Sequence, residues 1–420
     1  MTSGKRPIRQ RILFIHQNFP GQFQHLIRHC ASDPSIEAMG IGEKCWVKQG
    51  LGKLPKGFRV LGYEMPTGLQ RPDHPYLDTT HLAVHRASRV ATVLTGLVKS
   101  GFVPDVVVAH PGWGETLYVK DVVPGARLIS YCEYFYSAQG QDVGFDPEFP
   151  PAPDDAMRLR TRNAVSLMAL DAMDQGIAPT HWQWRCFPEV YRPRIQVIHD
   201  GIDTDLLRPD DQATFTLPDG ATLDRSREVI TFVNRNLEPL RGFHVFMRAL
   251  PAFLGARPEA QVVIVGGDEV SYGPRPISGT FREALLEELG EALAPFLRRI
   301  HFVGKVPYSA FRRLLQVSTA HVYLSYPFVL SWSLLEAMAS QCLVIGSATA
   351  PVREVIEHEA QGLLVDFLDV QGLARTMSQA CAQRDVLRPL TQAARNLVIE
   401  RFDLRRHCLP RQIQLLAGQG

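Results

Sequence analysis

Short apolar runs recur along this chain and alternate with longer amphipathic stretches. That alternation restricts the fold more than any other feature. The first half carries ILFIH (12–16), VVVAH (106–110), RLISYC (127–132) and QVIHD (196–200). The second half carries VITFVN (229–234), AQVVIVGG (260–267), IHFVG (300–304), AHVYLS (320–325) and CLVIGS (342–347). Runs this short and this continuously apolar suit strands buried on both faces of a parallel sheet. Helical patterns such as FHVFMRALPAFLGA (243–256) and GTFREALLEELGEALAPFLRRI (279–300) separate them. Alternation over the whole length predicts an α/β protein with doubly wound sheets, whose ligands bind at the carboxyl ends of the strands. The 420 residues are enough for two domains. Residues 201–228 are polar, carry Pro, Gly and Asp, and read as the linker into the second domain. The expected division is therefore 1–202 and 203–403, with a helix in about 404–420 packing back on the first domain.

Composition removes several classes. A net charge of +2 gives no basic field suited to nucleic acid. The apolar runs are strand-sized, well short of a membrane span. The N-terminal MTSGKRPIRQRILFIHQNF has four successive apolar residues, too few for a signal-peptide core. Seven scattered cysteines without CxxC or metal spacing read as reduced thiols of a cytoplasmic protein.

The strand ends hold the chemistry. After ILFIH, Pro20-Gly21 turns the chain into a helix, and Gly21 lets backbone N–H groups approach an anion; a plain tight turn is the alternative. After VVVAH, His110 stands beside the glycine-rich PGWG, with Glu115 in the same loop and Glu133 at the next strand end. A strand-end histidine is often structural, but this place in the cleft suits substrate contact. The two glutamates would contact an acceptor or cap helices. Arg235 and Arg241 flank a Glu-Pro turn, and two guanidinium groups can cradle a diphosphate; solvated turn charges are the alternative. Gly304 closes another strand. Ser331 is placed to cap the helix carrying Glu336, whose carboxylate could accept hydrogen bonds from a ribose diol.

Taken in order, HQNFPGQF, VIHDGIDTDLLRP, FVNRNLEPLRGFHVFMRALP, VVIVGG, HFVGKVPYSAF and SLLEAMASQCLVIGSATAPVREVIEHEAQGLLVDF resemble the retaining glycosyltransferases of family 4. That resemblance implies a GT-B fold, two facing Rossmann-like domains with an interdomain cleft, and metal-independent hexosyl transfer from a nucleotide-diphosphate sugar. It implies no cofactor. Gly21 falls on the family's phosphate-loop glycine and His110 on its histidine near the donor sugar. Arg235 and Arg241 match the basic phosphate binders, Glu336 the ribose-holding glutamate, and 301–306 the segment along the base. Synthesis of polysaccharide, glycolipid or another glycoconjugate is implied. The acceptor is left open, and weak peripheral contact with the inner face of the membrane is among the expectations.

Two departures stand out. The family usually reads EPFGLVLLE, its two glutamates eight positions apart. Ungapped, Phe328 takes the place of the first glutamate; with Tyr326-Pro327-Phe328 set on Glu-Pro-Phe, Tyr326 does. Backbone amides around Val329, Leu330 and Ser331 remain to meet sugar hydroxyls. The second departure is Asp200, where the family usually has asparagine. Asp203-Thr204-Asp205 spells the DxD metal motif of other glycosyltransferases, but its place in the linker argues against metal binding. Two rivals share the architecture: a catalytically silent nucleotide-sugar-binding protein and a sugar-nucleotide epimerase.

Overall fold

The computed structural model describes residues 10–273 and 275–418. They form two compact units. The first comprises the described residues up to Gln139, then Pro151–Asp200, and those from Cys408 on; the second comprises Gly140–Pro150 and Gly201–His407. The chain therefore changes units after Asp200, and eleven residues between two elements of the first unit belong to the second.

The first unit holds a seven-stranded, wholly parallel sheet. Its strands are β1 (Gln10–Ile15), β2 (Ile36–Glu43), β3 (Arg59–Tyr63), β4 (Val106–Ala109), β5 (Arg127–Tyr131), β6 (Gln175–Ala178) and β7 (Ile195–Val197). They lie in the order β3-β2-β1-β4-β5-β6-β7. Side chains alternate across the sheet, so each strand feeds two cores. Ile12 and Phe14 pack with Leu26, Ile27 and Cys30 of the helix Gln24–Ser32, while Leu13 and Ile15 pack with Val90, Leu94 and Leu97 of the helix Asp78–Lys99. The last helix, Leu409–Leu416, adds Leu415 and Leu416 to the first of these cores. It is tied there by Gln412 Nε2 to the His199 carbonyl (3.1 Å) and by Arg127 to the Leu416 carbonyl.

The second unit opens with a small antiparallel hairpin, β8 (Thr214–Thr216) and β9 (Thr222–Asp224). It lies inside the stretch expected to be linker. One side chain per strand, Phe215 and Leu223, is buried in a core shared with Val263 and Leu314. So short an apolar alternation is invisible among the surrounding Asp, Pro and Gly. The main sheet contains β10 (Val229–Asn236), β11 (Gln261–Gly267), β12 (Ile300–Gly304), β13 (Ala320–Tyr323), β14 (Leu343–Ser347) and β15 (Leu363–Val365). All six are parallel, ordered β12-β11-β10-β13-β14-β15. The helix expected over 279–300 is broken into Phe281–Glu288, Gly290–Leu293 and a 3-10 turn Ala294–Arg299, because Gly290 and Pro295 interrupt it. In both sheets the strand order reverses beside the first strand, at β1/β4 and at β10/β13, and such a switch point opens a crevice at the strand ends.

Candidate functional site

At the β1/β4 switch point, two histidines follow the strand ends. His16 Nδ1 accepts from the Asn18 N–H (2.9 Å), so its proton sits on Nε2 and is donated to Gln22 Oε1 (2.7 Å). The Gln22 amide donates onward to Glu133 Oε1 (2.9 Å). His110 repeats the pattern: Nδ1 accepts from the Gly112 N–H (3.1 Å), and Nε2 donates to Glu133 Oε2 (3.1 Å). Both tautomers thus follow from backbone donors, and Glu133 receives from both branches. Burial would raise the Glu133 carboxyl, but the His110 hydrogen bond and the neighbouring imidazoles outweigh it and hold it below the usual range. Burial, then His110, push His16 down to about 3, so it is neutral. Trp113 stacks on His110 with ring centroids 4.4 Å apart.

Glycines make this packing possible. Gly21 has φ +54°, and a Cβ there would lie 2.3 Å from His16 Nε2. At Gly112 a Cβ would lie 2.7 Å from His110 Cε1. Glu115 lies elsewhere. It has no exposed surface, accepts from Tyr63 Oη (3.0 Å) and sits 3.6 Å from Arg86 Nε. Burial raises its carboxyl, with Arg86 opposing. Of the two proposed acceptor-side carboxylates, Glu133 joins the histidine cluster and Glu115 points into the interior.

At the β10/β13 switch point, Arg235 lies near the end of β10 and is exposed, while Arg241 is buried. Arg241 Nη1 donates to Ser325 Oγ (2.8 Å) and Tyr323 Oη (3.3 Å). Its guanidinium carbon lies 5.6 Å from the Phe328 ring centroid and 5.9 Å from that of Tyr272. Among the described residues no carboxylate comes within ion-pair distance of it. Glu238, three residues earlier, is turned to the backbone N–H groups of Ser271 (3.1 Å) and Tyr272 (2.9 Å). Gly242 (φ +71°) brings this turn against Leu324, whose Cβ would be 2.3 Å from an added Cβ. The helix Phe243–Ala256 begins there.

The loop from Leu324 to Ser331 forms the facing wall. Tyr326 N–H donates to the Leu240 carbonyl (2.9 Å), and Ser331 N–H donates to Tyr323 Oη (2.8 Å). Leu330 is buried and Val329 half-buried. Ser331 caps the helix Trp332–Ala339 through its side chain. Glu336, five residues after that cap, accepts from Tyr308 Oη (2.7 Å), and burial pushes its carboxyl up to about 7. Gly304 (φ +64°) has open space where a Cβ would be.

Asp146 is the residue that sequence reasoning missed. It belongs to the Gly140–Pro150 segment of this unit and is buried. Its Oδ2 accepts from Tyr326 Oη (2.7 Å) and from His244 Nε2 (2.9 Å). These bonds hold its carboxyl below the usual range despite burial. A carboxylate thus meets the loop in which neither Tyr326 nor Phe328 supplies one. Asp146, Glu148 and His244 come close enough to hold a metal ion. However, Arg248 grips Glu148 through both oxygens (2.6 and 2.9 Å). In the DxD sequence, Asp203 and Asp205 are each bonded to Arg405 (3.1 and 3.0 Å). Asp200 accepts from Tyr131 Oη (2.9 Å).

Two parallel, switch-point sheets in one chain define the GT-B class of fold. Residues 44–207 match the glycosyl transferase family 4 group, and residues 217–397 match glycosyl transferases group 1. The chain belongs to the family 4 glycosyltransferases. It is 27% identical over 226 residues to D-inositol 3-phosphate glycosyltransferase of Nocardioides sp., covering 52% of this chain and 47% of that one. The namesake of Acidothermus cellulolyticus is 29% identical over 205 residues, covering 47% and 43%. The chain thus spans about half the length of the curated relatives it matches. Among solved structures, Anabaena HepE in complex with UDP and glucose superposes with a TM-score of 0.66 at 16% identity, over 98% of this chain and 100% of that one. Sucrose-phosphate synthase of Thermosynechococcus elongatus gives 0.69 at 17% identity, over 98% and 99%.

Proposed function

We propose that this chain is a retaining glycosyltransferase that moves a hexosyl group from a nucleotide-diphosphate sugar to a hydroxyl acceptor, without a bound metal or cofactor. The observation that carries it is Arg241. A buried guanidinium whose hydrogen bonds, among the described residues, go to neutral hydroxyls, at a helix start on a switch point, is suited to receive an anion. UDP and glucose in the complex named for Anabaena HepE support the same ligand class.

In the reaction the bond from the anomeric carbon to the diphosphate breaks and its electron pair leaves with the diphosphate. Arg241, Arg235 and the amides at the start of Phe243–Ala256 stabilise that charge as it develops. The acceptor oxygen bonds to the anomeric carbon from the face the diphosphate left, and its proton passes to the departing phosphate. Glu336 holds the donor's ribose, Gly304 leaves room along the base, and Val329–Ser331 present the amides for sugar hydroxyls. Gly21 and the His110–Glu133 pair line the acceptor-side strand ends. The cytoplasm is the compartment this reaction implies; among the described residues no helix is long and apolar enough to cross a membrane.

A second reading, a nucleotide-sugar-binding protein without turnover, draws on the absent motif glutamate at Tyr326 and Phe328. Incubation with a panel of nucleotide sugars, chelator and cell extract, followed by release of nucleoside diphosphate, separates the two. Release above the heat-denatured control supports transfer or hydrolysis. Nucleotide binding with no release on any donor supports the silent reading.

A further inference from the structure

The transfer reaction gives Glu336 a task and its neighbour Tyr308 none. β12 ends at Gly304, and the helix Tyr308–Val317 begins after Pro307, whose φ of −57° leads directly into it. Along that helix Tyr308, Phe311 and Leu315 stand three and then four residues apart, so they share one face. Phe311 and Leu315 are buried in a core with Leu334, Leu335 and Met338 of the helix Trp332–Ala339. The Tyr308 ring lies 5.8 Å from that of Phe311. This packing fixes where Tyr308 stands, and its hydroxyl ends 2.7 Å from Glu336 Oε1.

The two partners differ in burial: Glu336 is 8% exposed and Tyr308 49% exposed. Burial, then the Glu336 charge, push the Tyr308 hydroxyl up, so it keeps its proton and donates. The same bond opposes the burial that raises Glu336. Two other charged groups act on Tyr308: Arg312, one turn on along its own helix, lowers it, and Asp203 raises it. Among the described residues the Glu336 side chain has no other hydrogen bond or ion pair. A carboxylate has two oxygens and about four lone-pair sites. Tyr308 takes one site on Oε1, and Oε2 is left for a further donor.

We propose that Tyr308 is a positioning residue for the nucleotide's own sugar: its hydroxyl pins one oxygen of the Glu336 carboxyl and leaves the other to a vicinal diol. The inference rests on the nucleotide-donor reading and adds to it the selection of ribose over a sugar without those hydroxyls. A diol brings two donors, and a protonated carboxyl keeps only one full acceptor oxygen for them. Without the Tyr308 hydroxyl, burial acts on Glu336 unopposed and the carboxyl stays an acid to higher pH. The ring of Tyr308 is shared with phenylalanine, so a role in packing or in stacking on a base survives Tyr308→Phe, whereas the positioning role does not.

The test compares full-length wild type with Tyr308→Phe, whose melting temperature shows it folded. Both are titrated calorimetrically with uridine, adenosine and guanosine diphosphates and with their 2′,3′-dideoxy counterparts. The ribonucleotide that wild type binds should bind the variant about tenfold more weakly at neutral pH, within the range for a hydrogen bond to a charged group. Its dideoxy counterpart should bind both proteins equally. The rise of ribonucleotide affinity with pH should move upward in the variant, which neither packing nor stacking would cause. Carbon-13 NMR of the Glu336 carboxyl, assigned with Glu336→Gln, reads the same shift without any nucleotide. An unmoved carboxyl titration, unchanged ribonucleotide affinity, or an equal loss for the dideoxy counterpart would each overturn the proposal. So would tighter ribonucleotide binding by the variant, which would make Tyr308 a competitor of the ribose. No binding of any nucleoside diphosphate to wild type would instead remove the nucleotide-donor reading itself, and this proposal with it.

Discussion

Glu336 keeps its proton far more tightly than a solvated glutamate, because burial raises it from 4.5 to about 7 while Tyr308 only partly offsets this. A carboxyl raised in the folded state contributes stability that is complete below the unfolded value and is lost as pH rises through the folded one. Wild type should therefore lose stability relative to Glu336→Gln between pH 5 and pH 8, by about 1–3 kcal/mol. Urea unfolding of both proteins at the two pH values reads it directly. A constant difference would mean that the carboxyl is ionised throughout. The acid form also bears on ligand binding, since a diol is held best by the carboxylate, so ribonucleotide affinity should rise over the same pH window. Gly21 offers a second residue-scale expectation. Gly21→Ala forces a left-handed backbone, costing about 1–2 kcal/mol, and drives a methyl into the His16 ring. Its urea midpoint should fall, and unchanged stability would mean that the turn relaxes freely. For His110→Ala we expect turnover to fall at least about tenfold, roughly 1.4 kcal/mol on the barrier, with nucleotide affinity unchanged. Full turnover would leave His110 with a packing role alone.

At the scale of elements, the strap Gly140–Pro150 does what no local pattern announced. Its Asp146 joins the helix start at His244 to the loop at Tyr326, and Phe145 packs on Tyr326 and Phe367. These are the two elements between which Arg241 is held. Asp146→Asn and Tyr326→Phe should each cost about 1–3 kcal/mol of stability, the range for a hydrogen bond to a charged group. Combined in a double-mutant cycle they should couple by at least about 0.5 kcal/mol. Strict additivity in urea titrations would show that the two act independently. Asp146 was illegible because GFDPEF reads as a turn, and its partners lie 98 and 180 positions away. By contrast β1, β4, β10, β11 and β13 were legible, since strands buried on both faces need unbroken apolar runs. β2 and β3 were not: β2 carries Gly40 and Gly42 where Phe19 packs against the backbone, and β3 is an edge strand with an exposed Arg59. Arg241 could be placed beside a strand end because an apolar run precedes it, and Glu336 on a helix because Ser331 reads as its cap. Whether a carboxylate answers a guanidinium could not, because that depends on where Glu238 turns.

For the molecule as a whole, the strand order of the second sheet repeats that of the first, which adds β7 at its edge, the same kind of switch point occurs in both, and each brings a different chemistry to its strand ends. The first offers a neutral histidine, a second histidine and a shared carboxylate; the second offers a buried guanidinium that, among the described residues, no carboxylate approaches to ion-pair distance. Family membership accounts for the two sheets, while Tyr326 and Phe328 stand where the resemblance places a glutamate, and Asp146 meets Tyr326 from the Gly140–Pro150 segment. Under the proposed function, that loop would bear on which sugar is carried, and Arg241 on whether a nucleotide is bound at all. The central claim is therefore tested most directly by calorimetric titration of nucleoside diphosphates, with chelator present, into wild type and Arg241→Ala. We predict binding by wild type, with affinity reduced in the variant by about 1.5–3 kcal/mol, the scale of a hydrogen bond to a charged group, while the variant's melting temperature shows it folded. No heat of binding with any nucleoside diphosphate, or equal affinity in the two folded proteins, would contradict it.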